Sequence, residues 1–381
     1  YFFEEDTGYL AVDTTVDGAL LSKEGYAVAA AAGNVKTLET AGETAHCGEI
    51  MLIEDIELED TLDVEKEMTY LTASGSFCRI SASEQWENIA EVLYVKEDAG
   101  FCMGQGVAVD TCGKALAAVA VGENASFDCF GWAGSSSATE TGTGILGLSD
   151  SSRIGIYEGA VITGNGSGIV NQGITKLAGG TIRTNGTQTK KNRSDKSVLP
   201  GDRITGNDGH GIRQTGGTLR MSGGMILGNG RLGSNGEPGS YGGGVLLTGS
   251  ASMYMSGGII AANRAAAGGG IYVSAGCTLT VTGGRIGGKD KYYERAENNT
   301  EANGNYARES RIPADQNKYR AGEGGGIYSL GTVVLNGKEQ IQIGYNCAKG
   351  AGGGGGIHAA GGSLHISGKV SVSSNRALSS E

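Results

Sequence analysis

Asp208 and His210 stand two residues apart in Asp208-Gly209-His210-Gly211, a carboxylate beside an imidazole, the residue types that general acid–base chemistry uses. Hydrolysis of a glycosidic bond with inversion needs more: a pair of carboxyl groups about 6.5–9.5 Å apart. Between residues 142 and 286 the acids are sparse, namely Asp150, Glu158, Asp195, Asp202, Asp208 and Glu237, and their spacing is irregular. His46, His358 and His365 form no triad or metal-ligand spacing with them. Glu57, Glu59, Asp63 and Glu65 alternate with apolar residues, so hard oxygen donors for Ca²⁺ cluster there. A solvated outer strand face explains the same alternation, and no metal or cofactor is expected. Two stretches stand out, a basic one and one bearing tyrosine and arginine, which anchor protein and glycan contacts. One carries Lys190, Lys191 and Arg193; the other carries Tyr292, Tyr293, Arg295, Tyr306, Arg308, Arg311, Tyr319 and Arg320.

These residues need a frame, and the glycines describe it. Gly268-Gly269-Gly270-Ile271 is followed by Thr278-Leu279-Thr280-Val281 and Gly283-Gly284-Arg285-Ile286. The same order returns from Gly242, Gly324 and Gly354. Leu279 and Val281 alternate with threonines, the period of a half-buried strand, and Leu219/Met221, Met253/Met255 and Leu364/Ile366 hold the equivalent place. Glycine supplies the sharp turns between strands. Three short strands per turn, stacked at about 4.8 Å, make a parallel β-helix whose coils bury one another's faces. Asn165, Asn229, Asn263, Asn346 and Asn375 recur after the third apolar run of a coil, where stacked amides bond along the axis and tolerate left-handed backbone angles.

The Gly-Gly-x-Ile and Asn-x-Ala pieces resemble right-handed parallel β-helix proteins of the pectin-lyase-like superfold, most of all bacterial surface proteins and adhesins with Gly-Gly-Ala-Ile-type repeats. The resemblance covers roughly residues 142–381. It implies an all-β, right-handed, single-stranded parallel β-helix with an N-terminal cap. It leaves activity open, because that superfold hosts lyases, hydrolases, tailspikes and adhesins. Gly209-His210-Gly211-Ile212 is similar to the His-Gly element of polygalacturonases. That family's Asn-Thr-Asp, Asp-Asp and Arg-Ile-Lys pieces do not occur here, and Gly-x-Gly-Ile is also this chain's own repeat.

Three divisions follow: a capping segment over 1–48, early irregular coils over 49–141, and regular glycine-rich coils over 142–381. Tyr26–Ala32 reads as a helix broken at Gly33-Asn34. Ile50/Leu52, Ile56/Leu58 and Leu62/Val64 read as the strands that start the solenoid. Insertions at 187–205, 231–241 and 289–323 fall at one place in the coil, so they should crowd one edge, and such a face is often the binding face.

The net charge is −11, and residues 1–100 hold 22 acidic against 5 basic side chains. This argues against nucleic-acid binding, and the basic excess elsewhere is too diffuse for a nucleic-acid footprint. No stretch of about 18 apolar residues is present to span a membrane. The seven cysteines, Cys47, Cys78, Cys102, Cys112, Cys129, Cys277 and Cys347, match no zinc spacing. They read as small buried residues or, among the first five, as containing a disulfide. The chain reads as a fragment of a longer protein. The expectation is an extracellular or cell-surface bacterial adhesin-type scaffold that holds a glycan or protein through loops on one edge, anchored to the cell wall through regions beyond it. The alternatives are a polysaccharide lyase or glycoside hydrolase, and a structural stalk.

Overall fold

The computed structural model describes residues 15–16, 19–21, 27–44, 48–87, 90–137, 142–183, 209–230, 240–291, 303–308, 310–312, 315–320, 322–350 and 353–378. The chain is a parallel β-helix. Its first coil is Glu49–Leu52, Ile56–Leu58 and Leu62–Val64, the three strands the apolar alternation predicts. Each later coil lays one strand on each of three sheets in the same order. The first sheet passes through Arg153–Ile156, Ile174–Leu177, Thr218–Met221 and Ser252–Met255. The second passes through Val161–Thr163, Thr181–Arg183, Met225–Leu227 and Ile259–Ala261. The third is a 10-stranded parallel sheet from Leu62–Val64 to Ile357–Ala359. Near the end, Thr332–Gly344 and Ser363–Ser373 run unbroken through the first and second sheets.

Register makes the core. On the second sheet Ile162, Ile182, Ile226, Ile260, Ile286 and Ile343 stack in line, each fully buried. On the third, Ile145, Ile169, Ile212, Val245, Ile271 and Ile327 do the same. Each such side chain contributes about 1.5–3 kcal/mol when buried, but only while the coil above covers it. The turn into the second sheet is tight enough to require glycine. Gly258 has φ 86°, and a Cβ there would stand 2.6 Å from Gly223 O.

Of the helix expected over Tyr26–Ala32, the described part, Ala27–Ala32, is not helical. Ala27–Ala32 is a strand, parallel to Glu49–Leu52 and antiparallel to Ala19–Leu21, which pairs in turn with Thr15–Val16. Alanine's helix preference is a weak local term, and pairing along both edges overrides it. The helix lies beyond the expected break, at Val35–Thr44. Asn34 is its cap: Thr37 N–H donates to Asn34 Oδ1 at 3.0 Å, and Asn34 N–H donates to Thr37 Oγ1 at 3.0 Å. Leu38 is buried in the same cluster as Ile50, Leu52 and Ile56.

The asparagines form a continuous ladder between the second and third sheets. Asn229 N–H and Nδ2 both donate to Asn263 Oδ1, at 2.9 and 3.0 Å. Asn263 repeats this on Asn305, Asn305 on Asn346, and Asn346 on Asn375, all at 3.0–3.1 Å. Each Nδ2 also donates to an isoleucine carbonyl of the second sheet, as Asn305 does to Ile260 O at 2.9 Å. The left-handed angle expected at these asparagines falls one residue earlier, at Gly164, Gly228, Ala262, Tyr345 and Ser374. Asn305 lies inside the stretch read as one insertion over 289–323. Residues 303–308 there are part of the coil, with Tyr306–Arg308 paired between Arg264–Ala265 and Cys347–Lys349.

Replacing Asn305 with alanine leaves Asn263 N–H and Nδ2 without their shared acceptor. Each buried unsatisfied group costs about 1–3 kcal/mol, so N305A should lower the urea unfolding midpoint by the equivalent of about 2–4 kcal/mol. An unchanged midpoint would mean that the ladder does not hold the coils.

Candidate functional site

The insertions read at 187–205, 231–241 and 289–323 each follow a strand of the second sheet, Thr181–Arg183, Met225–Leu227 and Gly284–Gly287, at the edge toward the third sheet. Lys190, Lys191, Arg193, Asp208, Tyr292, Tyr293 and Arg295 lie outside the described residues. Tyr306 and Arg308 are placed on the short strand beside the ladder, half-buried, with Arg308 in register with Lys349. Arg311, Tyr319 and Arg320 belong to an antiparallel pair, Ser310–Ile312 with Asp315–Arg320, in which Arg311 stands opposite Tyr319 and Arg320 opposite Ser310. His210 opens the third-sheet strand His210–Gln214, is buried, and places Nδ1 3.2 Å from Gly242 O.

Beside this edge, on the outer face of the third sheet, stands a feature that residue-type searching missed. Tyr272, Tyr328 and His358 are register partners on successive strands. Tyr241 joins them at one end. Ring centroids are 5.2 Å apart for Tyr241–Tyr272, 5.0 Å for Tyr272–Tyr328 at an interplanar angle of 15°, and 5.3 Å for Tyr328–His358. Rings on adjacent strands stack because the strand spacing is close to the stacking distance. Each inner ring gives its faces to its neighbours, so the row offers hydroxyl-bearing edges to a ligand. Glu323 Oε2 lies 3.6 Å from His358 Nδ1. Burial, the Glu323 carboxylate and Tyr241 together raise the Tyr328 hydroxyl above its ordinary value, so it stays a donor. The signal in the sequence is positional: Tyr272, Tyr328 and His358 each follow the isoleucine of a Gly-Gly-Gly-Ile unit.

The acids occupy other faces. Asp63 and Glu65 both engage Lys96 Nζ, at 2.8 and 2.7 Å, and that contact lowers the Glu65 carboxyl. Glu57 and Glu59 are exposed. No group of three or more His, Cys, Asp or Glu side chains among the described residues is arranged to hold a metal ion. Glu97, Glu123 and Asp150 line a groove of about 520 Å³ with Tyr94 and Gln172. Tyr94 donates to Glu97 Oε1 at 2.6 Å, which lowers Glu97 and pushes Tyr94 up to about 12. A general acid at this position would need its carboxyl raised instead. His358 and His365 stand on the outer faces of different sheets.

Cys78, Cys102, Cys112, Cys129, Cys277 and Cys347 are free thiols, and Cys47 lies outside the described residues. Burial pushes Cys129 up to about 12; its thiol donates to Gly131 O at 3.6 Å. No helix among the described residues is long and apolar enough to cross a membrane. Comparison with known family models, with curated proteins and with solved structures returned no match.

Tyr70 and Cys129 are buried as neutral groups, and burial raises both. In the unfolded chain they ionise near pH 10 and about 8.5. A raised folded value means that their contribution is complete below about pH 8.5 and is lost as the pH climbs toward the folded values. The urea midpoint should therefore fall between about pH 8 and pH 11, and Cys129→Ala should flatten the first part of that fall. A midpoint constant across this range in the wild type would show that neither group is held neutral by the fold.

Proposed function

We propose that this chain is a recognition scaffold of an extracellular or cell-surface protein, with a pectin-lyase-like β-helix that holds a glycan or protein ligand along the edge between the second and third sheets. The observation that supports this reading is the Tyr241–Tyr272–Tyr328–His358 row on the outer face of the third sheet, beside the turn at which the sequence carries its insertions. A solenoid repeats its backbone at every coil, so side chains that depart from the repeat at one edge distinguish that edge chemically. Tyrosine edges with donor hydroxyls suit hydrogen-bonding to sugar hydroxyls or to peptide carbonyls. Fixed in a stacked row, they lose little conformational freedom on binding. Adhesin-type attachment of a bacterial cell to a host or neighbouring surface is the use that fits a long, rigid, one-edged scaffold.

The test is a glycan and surface-protein array probed with the wild type and with a variant in which residues 309–321 are replaced by a short glycine turn. Residues 303–308 are kept because Asn305 belongs to the ladder. A ligand bound by the wild type and lost in a variant with unchanged thermal melting supports recognition by the edge. Equal binding by the two proteins, or binding by neither, would overturn it.

A further inference from the structure

In four successive coils the triple glycine and its β-branched residue are flanked by two residues five positions apart: Tyr241 and Leu246, Ala267 and Tyr272, Glu323 and Tyr328, Gly353 and His358. The leading residues are in register, Tyr241 with Ala267 and Ala267 with Glu323. The trailing residues are in register too, on the outer face of the third sheet. A leading side chain reaches the trailing side chain of the next coil. Tyr241 lies 5.2 Å from Tyr272, ring centre to ring centre, and Glu323 Oε2 stands 3.6 Å from His358 Nδ1. By the same offset the leading residue that meets Tyr328 is Ala267, which brings a methyl group where its neighbours bring a phenol and a carboxylate. Tyr241 and Glu323 therefore bracket a low place in the row, two strand spacings or about 9.6 Å from one to the other.

The groups around this place have bonding capacity left over. The Glu323 side chain is 15% exposed, and no described residue donates a hydrogen bond to its carboxylate. His358 Nδ1 is too far away to do so, and that nitrogen is itself buried without a hydrogen-bond partner. A carboxylate withdrawn from water with its lone pairs unmet is costly, and a cation carrying N–H donors relieves that cost. Tyr328 offers the complementary group. Its hydroxyl bonds to no described residue, and burial, Glu323 and Tyr241 hold it protonated, so it is ready to donate.

We propose that this place takes an unacetylated amino sugar, its ammonium on the Glu323 carboxylate and a neighbouring sugar hydroxyl on the Tyr328 hydroxyl. The inference rests on the recognition reading of this edge and gives its ligand a chemistry. An amino sugar carries an ammonium and a hydroxyl on adjacent carbons, which matches an acceptor carboxylate set beside a donor phenol. A lysine side chain carries the ammonium alone and leaves the Tyr328 donor unmet. Acetylation of the sugar nitrogen removes its charge and two of its three donors, so the unmet carboxylate discriminates against it. The net charge of −11 favours the approach of a cationic glycan over an anionic one.

The test is titration calorimetry on the whole chain with four probes: a glucosamine tetramer, its fully N-acetylated form, cellotetraose and tetralysine, below the pKa of the sugar amine. The wild type should bind the glucosamine tetramer, and each of the other three about tenfold more weakly or worse. Glu323→Gln should weaken the glucosamine tetramer by about tenfold or more, and Tyr328→Phe by severalfold. Glu59→Gln, which removes one exposed carboxylate elsewhere, should bind as the wild type, and unchanged thermal melts show that the folds compare. The proposal is overturned if the glucosamine tetramer does not bind, if Glu323→Gln binds it as the wild type does, if tetralysine binds equally well, or if Glu59→Gln weakens binding as much as Glu323→Gln. Equal binding of cellotetraose or of the acetylated tetramer, weakened by Tyr328→Phe, overturns the amine preference while leaving recognition at this edge intact. Failure of the edge itself is read separately, from the array with the 309–321 variant.

Discussion

An amide buried between sheets has to find its hydrogen-bond partner inside the protein, and in a solenoid the partner available at the right distance is the same amide one coil away. The row from Asn229 to Asn375 meets that requirement with two donations to each shared oxygen. Everything else in the fold must respect it. A coil is free to lengthen only where the extra residues leave and return without moving its asparagine. The third long coil shows this: its residues 303–308 lie in the coil and place Asn305 between Asn263 and Asn346. An unmatched buried amide is costly, so the asparagine keeps its place in the coil whatever the length of the sequence beside it.

Strict register has a second effect, on the surface. Any side chain placed at one outward position is set beside the side chains at that position in neighbouring coils, at the strand spacing. Where successive coils carry rings, as at Tyr272 and Tyr328, the rings close face to face and leave their edges outward. Where two cations follow one another, as at Lys176 and Arg220, each lies against an aromatic ring, Tyr157 for the first and Tyr254 for the second. The two surfaces thus differ in chemistry because of which residues follow one another in the row, while the backbone beneath them is the same.

This also explains what was readable from residues alone. The glycine turns and the inward isoleucines are local signals, repeated in every coil, so the architecture and the strands at Ile50–Leu52, Ile56–Leu58 and Leu62–Val64 could be read directly. The asparagines were readable for the same reason, except Asn305, which falls within the stretch 289–323 that reads as one insertion. Ala27–Ala32 misled because its strand character comes from pairing with Glu49–Leu52 and Ala19–Leu21, and nothing in an alanine run announces partners. The outward rows were hidden because their members differ in type: Lys176, Arg220 and Tyr254 share a position and no chemistry until register sets them side by side. Most of the residues first singled out for recognition, such as Tyr292 and Lys190, lie outside the described residues, whereas Tyr306 and Arg308 turn out to share the edge of the ladder.

The hydrogen bonds between coils all run along the axis, and this gives the molecule a directional mechanical response. A pull applied along the axis loads the interfaces between coils in series, so the weakest one governs the response and the chain opens like a peeled tape. A pull applied across the axis is carried by many short strands and by the isoleucine columns in parallel. The unbroken strands Thr332–Gly344 and Ser363–Ser373, paired through both the first and second sheets, form the widest continuous seam between two neighbouring coils. Under axial tension that seam is the one most resistant to tearing, and the molecule would yield first elsewhere.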